Sequence, residues 1–378
     1  MKNNTGQRQA MSVKGRIAGS DDDGKIREFL RNIPLQGNIR LRTTCEPSFF
    51  DAVQIHGEDA SVFVGESGDR IVAMGMSAVR ELFINGLPMR VGYLGSLRLD
   101  PEFRNSTALF RGFRMLKEIH EETHPGIFYL TSILDENEIA REILTSGRAG
   151  LPAYRELFKY TTFLIPGSAK RTVPVEYGLE LLRGDSVDTD EISKFLCETG
   201  RNRQFFPVYS RSRMNEKYGL LRNVRPQDFL VALKGGRIEG VAAIWDQMPF
   251  RQYVVDGYPL LYRPMVLGSN ILGILSGFPA LPKAGNPFRY ACLSCVAIRD
   301  DSSQVFSFIL KHALEGLSAC KASFLAVGMA EQDPLVQIAG RFRHKKLRSR
   351  IYAVDWGDAN DKIISLDSRP AYLELGSL

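Results

Sequence analysis

The chain has 378 residues, of which 44% are hydrophobic and 24% are charged, and its formal net charge is +6 at pH 7. This length and composition are typical of a globular protein with two domains, and they exclude a small disulfide-stapled one. The positive charge favours an anionic partner, such as a phosphate-rich cofactor, an acidic substrate or RNA, without choosing among them.

Further features of the sequence exclude other classes of protein. The most apolar stretch, residues 264–282, is interrupted by Gly, Ser, Asn and Pro and is too short to cross a bilayer. The N-terminal segment lacks the apolar centre of a signal peptide, so we expect a cytoplasmic protein. Five scattered cysteines and five histidines without ligand spacing predict neither structural disulfides nor a metal site.

Hydrophobic periodicity predicts alternating strands and helices along the first half of the chain. The strands are predicted, in chain order, at residues 12–19, 60–67, 69–82, 87–99, 126–134 and 157–166. A first helix is predicted at 20–34, and a second follows the acidic Pro turn after residue 99, with Leu109, Phe113 and Leu116 on one stripe. A third helix is predicted at 135–146. Ser67 and Gly68 indicate a hairpin.

The second half repeats this order with recognisable local pieces. Residues 24–30 match 190–196, residues 61–75 match 229–242, and residues 93–104 match 292–303. The chain is therefore predicted to contain two copies of one fold, residues 1–168 and 169–378, which we call the first and second halves. The spacing between matching pieces grows along the chain, which predicts an insertion in the second half at about 249–288.

The order of elements in each half, with a strand, an acidic Pro turn, an arginine and a helix at residues 97–122, resembles the GNAT (GCN5-related N-acetyltransferase) superfamily. The resemblance covers nearly all of the chain as two tandem copies. It implies an α/β (α+β) fold, in which each copy is a mixed, mostly antiparallel twisted sheet flanked by helices. It also implies acetyl-CoA, or another acyl-CoA, as the cosubstrate.

The family's cofactor motif is Arg or Gln, two residues, Gly, one residue, and Gly or Ala at a helix start. The matching segment keeps the arginine and consists of Arg104, Asn105, Ser106, Thr107, Ala108 and Leu109. Amide N–H groups in the first turn of a helix lack internal partners and lie at its positive end, so they can bind a pyrophosphate. Thr107 and Leu109 replace the family's small residues, and a plain helix cap is the alternative interpretation.

The resemblance assigns further cofactor contacts. In the family, the strand before the turn pairs its backbone with the pantetheine arm of CoA, which corresponds here to Leu97, Arg98 and Leu99. An asparagine at the start of the next helix often contacts the cofactor, and Asn137 matches it, although it is also a common helix cap. The family's tyrosine, which protonates the departing thiolate, is replaced by Leu144.

The residues that handle protons are less clear from the sequence. Relatives often have a glutamate in the strand before the turn, and Tyr93 stands at the matching position. Tyr93, Tyr154 and Glu81 are the catalytic candidates, each with a packing or surface role as the alternative. Catalysis by positioning of the reactants needs none of them.

The second half departs further from the family's pattern. Its turn carries Asp300 and Asp301 and lacks both the arginine and the glycine. Because two carboxylates would repel a pyrophosphate, we expect a copy with a degenerate cofactor site that builds one wall of the substrate cleft. Its insertion is a candidate lid.

Three functional hypotheses follow from the sequence. The leading one is an N-acyltransferase that moves an acyl group from acyl-CoA to an amine of a small molecule or peptide. The second is an aminoacyl-tRNA-dependent transferase, although no aromatic and basic interleaving indicates an RNA groove, so nucleic acid is a disfavoured partner. The third is a non-catalytic ligand-binding or scaffolding protein. No membrane partner is expected, and neither the acceptor nor the oligomeric state follows from the sequence.

Overall fold

The computed structural model describes residues 13–35, 39–104, 106–167, 178–214, 219–259 and 279–378. The strands of the first half are β1 Lys14–Ile17, β2 Arg40–Thr44, β3 Ser61–Ser67, β4 Arg70–Ile84, β5 Leu87–Leu99, β6 Tyr129–Leu134 and β7 Ala153–Pro166. Its helices are α1 Asp23–Asn32, α2 Phe49–Val53, α3 Ala108–Thr123 and α4 Glu138–Leu144. The predicted order is confirmed, except that the sequence pattern missed β2.

The second half contains the same kinds of element. Its strands are β8 Leu179–Arg183, β9 Phe229–Lys234, β10 Arg237–Trp245, β11 Gln252–Gly257, β12 Tyr290–Ile298, β13 Phe324–Ala330 and β14 Lys345–Asp355. Its helices are α5 Thr189–Gly200, α6 Arg211–Met214, α7 Ser303–Gly316, α8 Val336–Gly340 and α9 Asn360–Ile364. No helix in the described ranges is both long enough and apolar enough to cross a lipid bilayer.

Within the described part of the chain, one 12-stranded sheet has the order β1-β3-β4-β5-β6-β14-β7-β13-β12-β10-β9-β8. The pairs β5–β6 and β12–β13 are parallel, whereas the other neighbours are antiparallel. A mixed, mostly antiparallel sheet with helices on its faces confirms the predicted fold class.

The two halves exchange one strand each at the centre of this sheet. Strand β14 of the second half pairs with β6 of the first, and β7 of the first half pairs with β13 of the second. The two exchanged strands also pair with each other, from Lys345↔Leu164 to Asp355↔Ala153. The halves therefore share a continuous sheet, and the division near residue 168 remains a prediction from the sequence.

The helices cover the sheet through amphipathic stripes. Helix α1 buries Ile26, Phe29 and Leu30, whose spacing places them on one side of the helix. Helix α3 buries Phe113 and Leu116 in the same way. The two helices belong to different apolar clusters on opposite faces of the first half's sheet. We call these the α1 face and the α3 face.

Local pieces of the second half match those of the first. Helix α5 corresponds to α1, and the β9–β10 hairpin corresponds to β3–β4. Gly68 in the first hairpin turn and Gly235 in the second both have a φ of +59°, a conformation that residues with a Cβ rarely adopt. The structural match is the one expected from the internal sequence repeat.

A small second sheet connects the halves. Strand β11, from the predicted insertion, pairs antiparallel with β2. Arg42 forms an ion pair with Asp256, and the Thr44 hydroxyl donates to Gln252 Oε1 at 2.9 Å. Part of the second half is thereby held against the first, beside the α1 face. Residues 260–278 of the insertion lie outside the described residues.

Candidate functional site

Strands β5 and β6 separate shortly after they meet. Their parallel pairing consists of Gly92↔Tyr129 and Tyr93↔Leu130, after which β5 continues to Leu99 alongside β4. The Thr131 hydroxyl donates to the Leu94 carbonyl at 2.9 Å and closes the narrow end of the gap. A wedge-shaped opening therefore separates the later part of β5 from β6.

A β-bulge shapes the edge of this opening. The register between β4 and β5 shifts between Met76↔Gly95 and Met74↔Arg98. Within the shift, Ser96 has a φ of +53°, the left-handed region that non-glycine residues rarely occupy. Bulges bend a strand and re-aim its side chains, and this one directs the end of β5 away from β6.

The opening leads into a cavity of about 420 Å³. It is lined by β5, α3, β6 and α4 on one side and by α2, β2 and residues of the second half on the other. The predicted site residues among its lining are Tyr93, Leu97, Arg98, Leu99, Ala108, Leu109, Asn137 and Tyr154. The structure therefore brings together most of the residues that sequence reasoning selected.

The start of α3 lies at one end of this cavity. Ala108 and Leu109 line it, and Leu109 packs partly into the α3-face cluster. The Ser106 hydroxyl accepts from the Ala108 N–H at 3.2 Å and donates to the Phe103 carbonyl at 2.6 Å. One first-turn amide is thus already capped by the chain, and the Ser106 hydroxyl is engaged within it.

Other members of the predicted motif lie outside the cavity lining. Arg104 and Thr107 are exposed, at the approach to the start of α3. Asn105 lies outside the described residues. Asn137 lines the cavity and also caps α4, because its side-chain oxygen accepts from the Ala140 N–H at 3.3 Å. The helix-cap interpretation of Ser106 and Asn137 is therefore realised in the structure.

Two tyrosine side chains occupy different parts of the cavity. Tyr93 belongs to the apolar cluster of the α1 face and stacks on His56, with 5.3 Å between ring centroids. Tyr154 packs into the α3-face cluster, which also contains Leu144. Burial raises the pKa of both phenols. Both therefore stay protonated at neutral pH and can donate hydrogen bonds.

Glu81, the third catalytic candidate from the sequence, lies elsewhere. It stands opposite Arg90 in the β4–β5 hairpin, and its carboxylate is 3.2 Å from Nη2 of Arg213. It is not part of the cavity lining. The structure separates Glu81 from the tyrosines, and its contacts are those of an ion-paired residue of the sheet.

His56 is a cavity residue that sequence reasoning missed. Its Nδ1 lies 3.0 Å from the Ser377 carbonyl, which can only accept, so Nδ1 carries the proton and Nε2 keeps a lone pair. Burial, followed by the charges of Arg251 and Arg80, lowers the pKa of His56 to about 3. A lone histidine without ligand spacing carries no signal of a site in the sequence. The position of His56 depends on the contact between the segment that follows α2 and Ser377 of the second half.

Arg251 and Tyr253 are cavity residues contributed by the second half. The Arg251 guanidinium donates to the Tyr253 hydroxyl at 2.7 Å and to backbone oxygens of Gly376 and Leu378. Both residues lie in the insertion predicted at about 249–288. That insertion is the feature of the sequence that could have pointed to them. Sequence reasoning treated that segment as a possible lid and selected none of its residues.

The corresponding opening of the second half is filled by the chain itself. Cys295 in β12 matches Ser96, has a φ of +52°, and lies at an equivalent register shift. Its N–H donates to the Glu374 carboxylate at 2.8 Å, and the Val296 N–H donates to the Tyr372 hydroxyl at 3.1 Å. Residues 371–377, which we call the tail segment, thus occupy the bulged edge of β12.

Two solved structures resemble the chain over most of its length. One is the GCN5-related glucosamine N-acetyltransferase region of a fungal multi-domain GH3 β-N-acetylglucosaminidase, with a TM-score of 0.58 and 12% identity over 91% of this chain. The other is a GCN5-related N-acetyltransferase from Sphaerobacter thermophilus, with a TM-score of 0.53 and 12% identity over 97% of this chain and 98% of that one. The chain has the GNAT fold.

This likeness confirms the GNAT resemblance for the fold alone. An identity of 12% says nothing about the substrate. The chain spans 38% of the length of the fungal protein. No protein-family model matches the chain, and no curated protein sequence does. Among the residues that the structure describes, no group of three or more His, Cys, Asp or Glu side chains is arranged to hold a metal ion.

Proposed function

We propose that the protein is a cytoplasmic N-acyltransferase that binds acetyl-CoA or another acyl-CoA in its first half and transfers the acyl group to an amine. The observation that carries this proposal is the wedge between β5 and β6, which opens into a cavity lined by six of the ten residues of the predicted cofactor site. The filled wedge of the second half supports a single cofactor site per chain.

The shape and lining of the wedge fit a pantetheine arm. Pairing between β5 and β6 ends at Tyr93↔Leu130, so the later part of β5 presents backbone groups toward the cavity. Such an edge can pair with the amides of an extended ligand, as a sheet edge pairs with an added strand. The start of α3, with Arg104 exposed beside it, would face the pyrophosphate.

The reaction requires a balanced movement of one acyl group and one proton. The amine nitrogen bonds to the acyl carbon, the carbon–sulfur bond breaks, the amine loses a proton and the sulfur gains one. Acyl-CoA, when bound, supplies the thioester. In our proposal Tyr154, which packs in the same cluster as Leu144, donates the proton that the sulfur needs, because burial keeps its phenol protonated.

Removal of the amine's proton is not assigned to Tyr93. Its raised pKa keeps the phenol protonated, so it cannot act as a base at neutral pH. His56 stays neutral, but its pKa of about 3 makes it too weak a base to deprotonate an ammonium ion. We therefore propose that the acceptor binds as the neutral amine and that the cavity acts chiefly by positioning. The proton that the nitrogen loses on acylation passes to water, from which the Tyr154 phenolate is reprotonated.

The test of this proposal is calorimetric titration of the full-length chain with CoA. We expect binding by the wild type, and for Arg104→Glu an affinity at least about tenfold lower, because a cation near the pyrophosphate is replaced by an anion. Arg114→Glu is the matched control, since Arg114 is an exposed residue of α3 outside the cavity lining. It is expected to bind CoA nearly as well as the wild type.

Other outcomes would favour the alternative functions. Equal affinities for the two variants would remove Arg104 from the site. CoA binding without thiol release across a broad panel of amines would favour a non-catalytic protein. Thermal stabilisation by tRNA but not by acetyl-CoA would favour an aminoacyl-tRNA-dependent transferase, because only ligands of the folded state stabilise it.

A further inference from the structure

The cavity reaches both faces of the sheet. Leu94, Phe113 and Leu116 line it and belong to the apolar cluster of the α3 face. Met74 and Met76 also line it and belong to the cluster of the α1 face. Because these clusters lie on opposite sides of the sheet, a ligand in the cavity can extend through the wedge from one face to the other.

The proposed function fixes the direction in which acyl-CoA lies along this path. The start of α3, the proposed pyrophosphate position, is on the α3 face. Tyr154, the proposed proton donor to the sulfur, packs in the cluster of that same face. The acyl group lies beyond the sulfur, so it is the part of the molecule that passes the narrow end of the wedge at Tyr93 and reaches the α1 face.

On the α1 face, one side of the cavity is apolar. Strand β4 neighbours β5 on the side away from the wedge, and α1 and α2 cover it. Six residues of these three elements line the cavity and belong to the α1-face cluster, and we call them the apolar compartment: Leu30, Phe49, Ala52, Val53, Met74 and Met76. Within the described residues, α1, α2 and β4 contribute no charged side chain and no hydroxyl group to the lining.

The apolar compartment is better suited to a hydrocarbon group than to water. Each of its six side chains is at most 5% exposed, and yet each borders the cavity. Apolar space left empty lowers stability, because the atoms around it lose packing contacts. Water gains little there, since it finds no hydrogen-bond partners among these side chains. The two methionines can adapt their shape to a bound chain.

The opposite side of the wedge carries hydroxyl groups. Strands β6, β14 and β7 follow there in the sheet order, and Ser132, Ser349 and Thr162 line the cavity, one from each strand. Ser349 stands opposite Tyr160, a member of the α1-face cluster, so it points to the α1 face. An amine needs hydrogen-bond partners when it leaves water. The hydroxyl side therefore suits the amine, and the apolar compartment is left for the acyl chain.

We propose that the acyl donor carries a straight apolar chain longer than acetyl, of the butyryl to octanoyl class, and that the apolar compartment binds this chain. This inference rests on the proposed function and names the donor class of the same site. An acetyl group ends in a single methyl, which would leave most of the six side chains without a contact. A longer chain extends from the narrow end of the wedge across Met76 and Met74 toward α1 and α2.

The first experiment is calorimetric titration of the full-length chain with CoA and with acetyl-, butyryl-, hexanoyl- and octanoyl-CoA, without an amine. From acetyl-CoA to hexanoyl-CoA we expect the affinity to rise by up to about fourfold for each added methylene, because each one leaves water for an apolar wall. Hexanoyl-CoA that binds no more tightly than acetyl-CoA would overturn the inference.

The second experiment fills the apolar compartment. Ala52→Leu adds bulk from α2, and we expect it to remove most of the advantage of hexanoyl-CoA over acetyl-CoA. Ala140→Leu is the matched control, because Ala140 also lines the cavity but packs against the α3-face cluster. It should leave the ratio of the two affinities unchanged. An equal loss in both variants, or no loss with Ala52→Leu, would contradict the assignment of the compartment.

A third pair of variants enlarges the cavity instead and keeps the test decisive should Ala52→Leu fail to fold. Met74→Ala opens the apolar compartment, and we expect the ratio of octanoyl-CoA to hexanoyl-CoA affinity to rise at least about threefold. Met115→Ala removes the same atoms from a cavity residue beside the α3-face cluster and should leave this ratio unchanged. The same ratio in Met74→Ala as in the wild type would count against the inference. Thermal unfolding without ligand checks the folding of each variant.

The measurements separate this inference from the proposed function. If the wild type binds no CoA, the proposed function and the donor class fall together. If acetyl-CoA binds and transfers its acetyl group to an amine while longer chains bring no gain, the proposed function stands and the donor class is wrong. Tighter binding of long-chain amines, without tighter binding of long-chain acyl-CoA, would assign the compartment to the acceptor and also overturn the inference.

Discussion

At the scale of single residues, the tail segment fixes several buried polar groups around the cavity. Ser377 accepts from His56 Nδ1 through its carbonyl and from Arg80 through its hydroxyl. Gln247 donates to the Gly376 carbonyl at 2.6 Å. Buried polar groups left without partners cost about 1–3 kcal/mol each, so these contacts stabilise the inner wall of the site. The tail segment therefore holds together the wall of the cavity that contains His56.

His56 provides a test of this arrangement through the pH dependence of stability. Its pKa falls from an ordinary value of 6.5 to about 3 in the folded chain, chiefly through burial. Between these values the unfolded chain binds more protons than the folded one, so stability is lost as the pH falls from 6.5 toward 3. On going from pH 6.5 to pH 4, the free energy of unfolding of His56→Phe should fall by up to about 3 kcal/mol less than that of the wild type.

The measurement is urea unfolding at a series of pH values. His312→Phe is the control, because His312 is partly exposed on α7, where it pairs with Glu315. We expect its pH profile to follow that of the wild type, since the carboxylates that also titrate in this range are common to all the chains. Parallel profiles for the wild type and His56→Phe would show that His56 is not held neutral by burial.

At the scale of elements, α3 decides how closely a ligand can approach the first half's wedge. Gly112 lies on the cavity side of α3, and a Cβ built there would meet no heavy atom within 4 Å. A side chain at this position therefore projects into the cavity without displacing its neighbours. Glycine inside a helix costs about 1 kcal/mol relative to alanine, so keeping it here is unfavourable for the helix alone.

Substitution of Gly112 should separate helix stability from ligand binding. We expect Gly112→Ala to raise the free energy of unfolding by up to about 1 kcal/mol with CoA affinity near that of the wild type. Gly112→Phe should fold but bind CoA at least about tenfold more weakly, because the ring occupies part of the cavity. Titration calorimetry and urea unfolding measure the two effects.

Gly24→Phe is the control for the aromatic substitution. Gly24 is exposed on α1, a Cβ there would likewise meet nothing within 4 Å, and the residue does not line the cavity. Its CoA affinity should stay at the wild-type value. Undiminished CoA binding by Gly112→Phe would place the cofactor away from α3 and contradict the proposed site.

At the scale of the whole molecule, the exchanged strands make each half dependent on the other. Without β14, strand β6 loses its antiparallel neighbour, and without β7, strand β13 does so as well. Each half alone would expose unpaired strand edges, which promote aggregation. The shared sheet also places Arg251 and Tyr253 of the second half beside the first half's wedge, so that the cavity depends on both halves.

Separate expression of residues 1–168 and 169–378 tests this dependence. We expect neither fragment to unfold cooperatively on its own, whereas co-expression should yield a one-to-one complex that unfolds in a single transition. Size-exclusion chromatography and circular dichroism during urea unfolding are the measurements. A first-half fragment that is monomeric and unfolds cooperatively would show that β14 is dispensable for its stability.

The sequence by itself determined most of the elements, the internal repeat and several of the residues that line the cavity. These features depend on local pattern: the stripe of α3, the turn glycines, and the caps at Ser106 and Asn137 can be recognised from neighbouring residues. The match between residues 93–104 and 292–303 also implied that Ser96 and Cys295 are equivalent. In the structure each of them lies in a β-bulge and has a positive φ. Arg98 was selected too, although for its backbone rather than its side chain.

The tertiary structure alone decided the exchange of β7 and β14, the filling of the second wedge by the tail segment, and the part of the cavity that His56 and Arg251 line. Each depends on residues far apart in the chain: His56 meets Ser377, and Arg251 lines the same cavity as Arg98. Periodicity reports which face of an element is buried but not which distant element covers it. Glu81 shows the same limit, since its distance from the cavity follows from the fold and not from its place in the sequence.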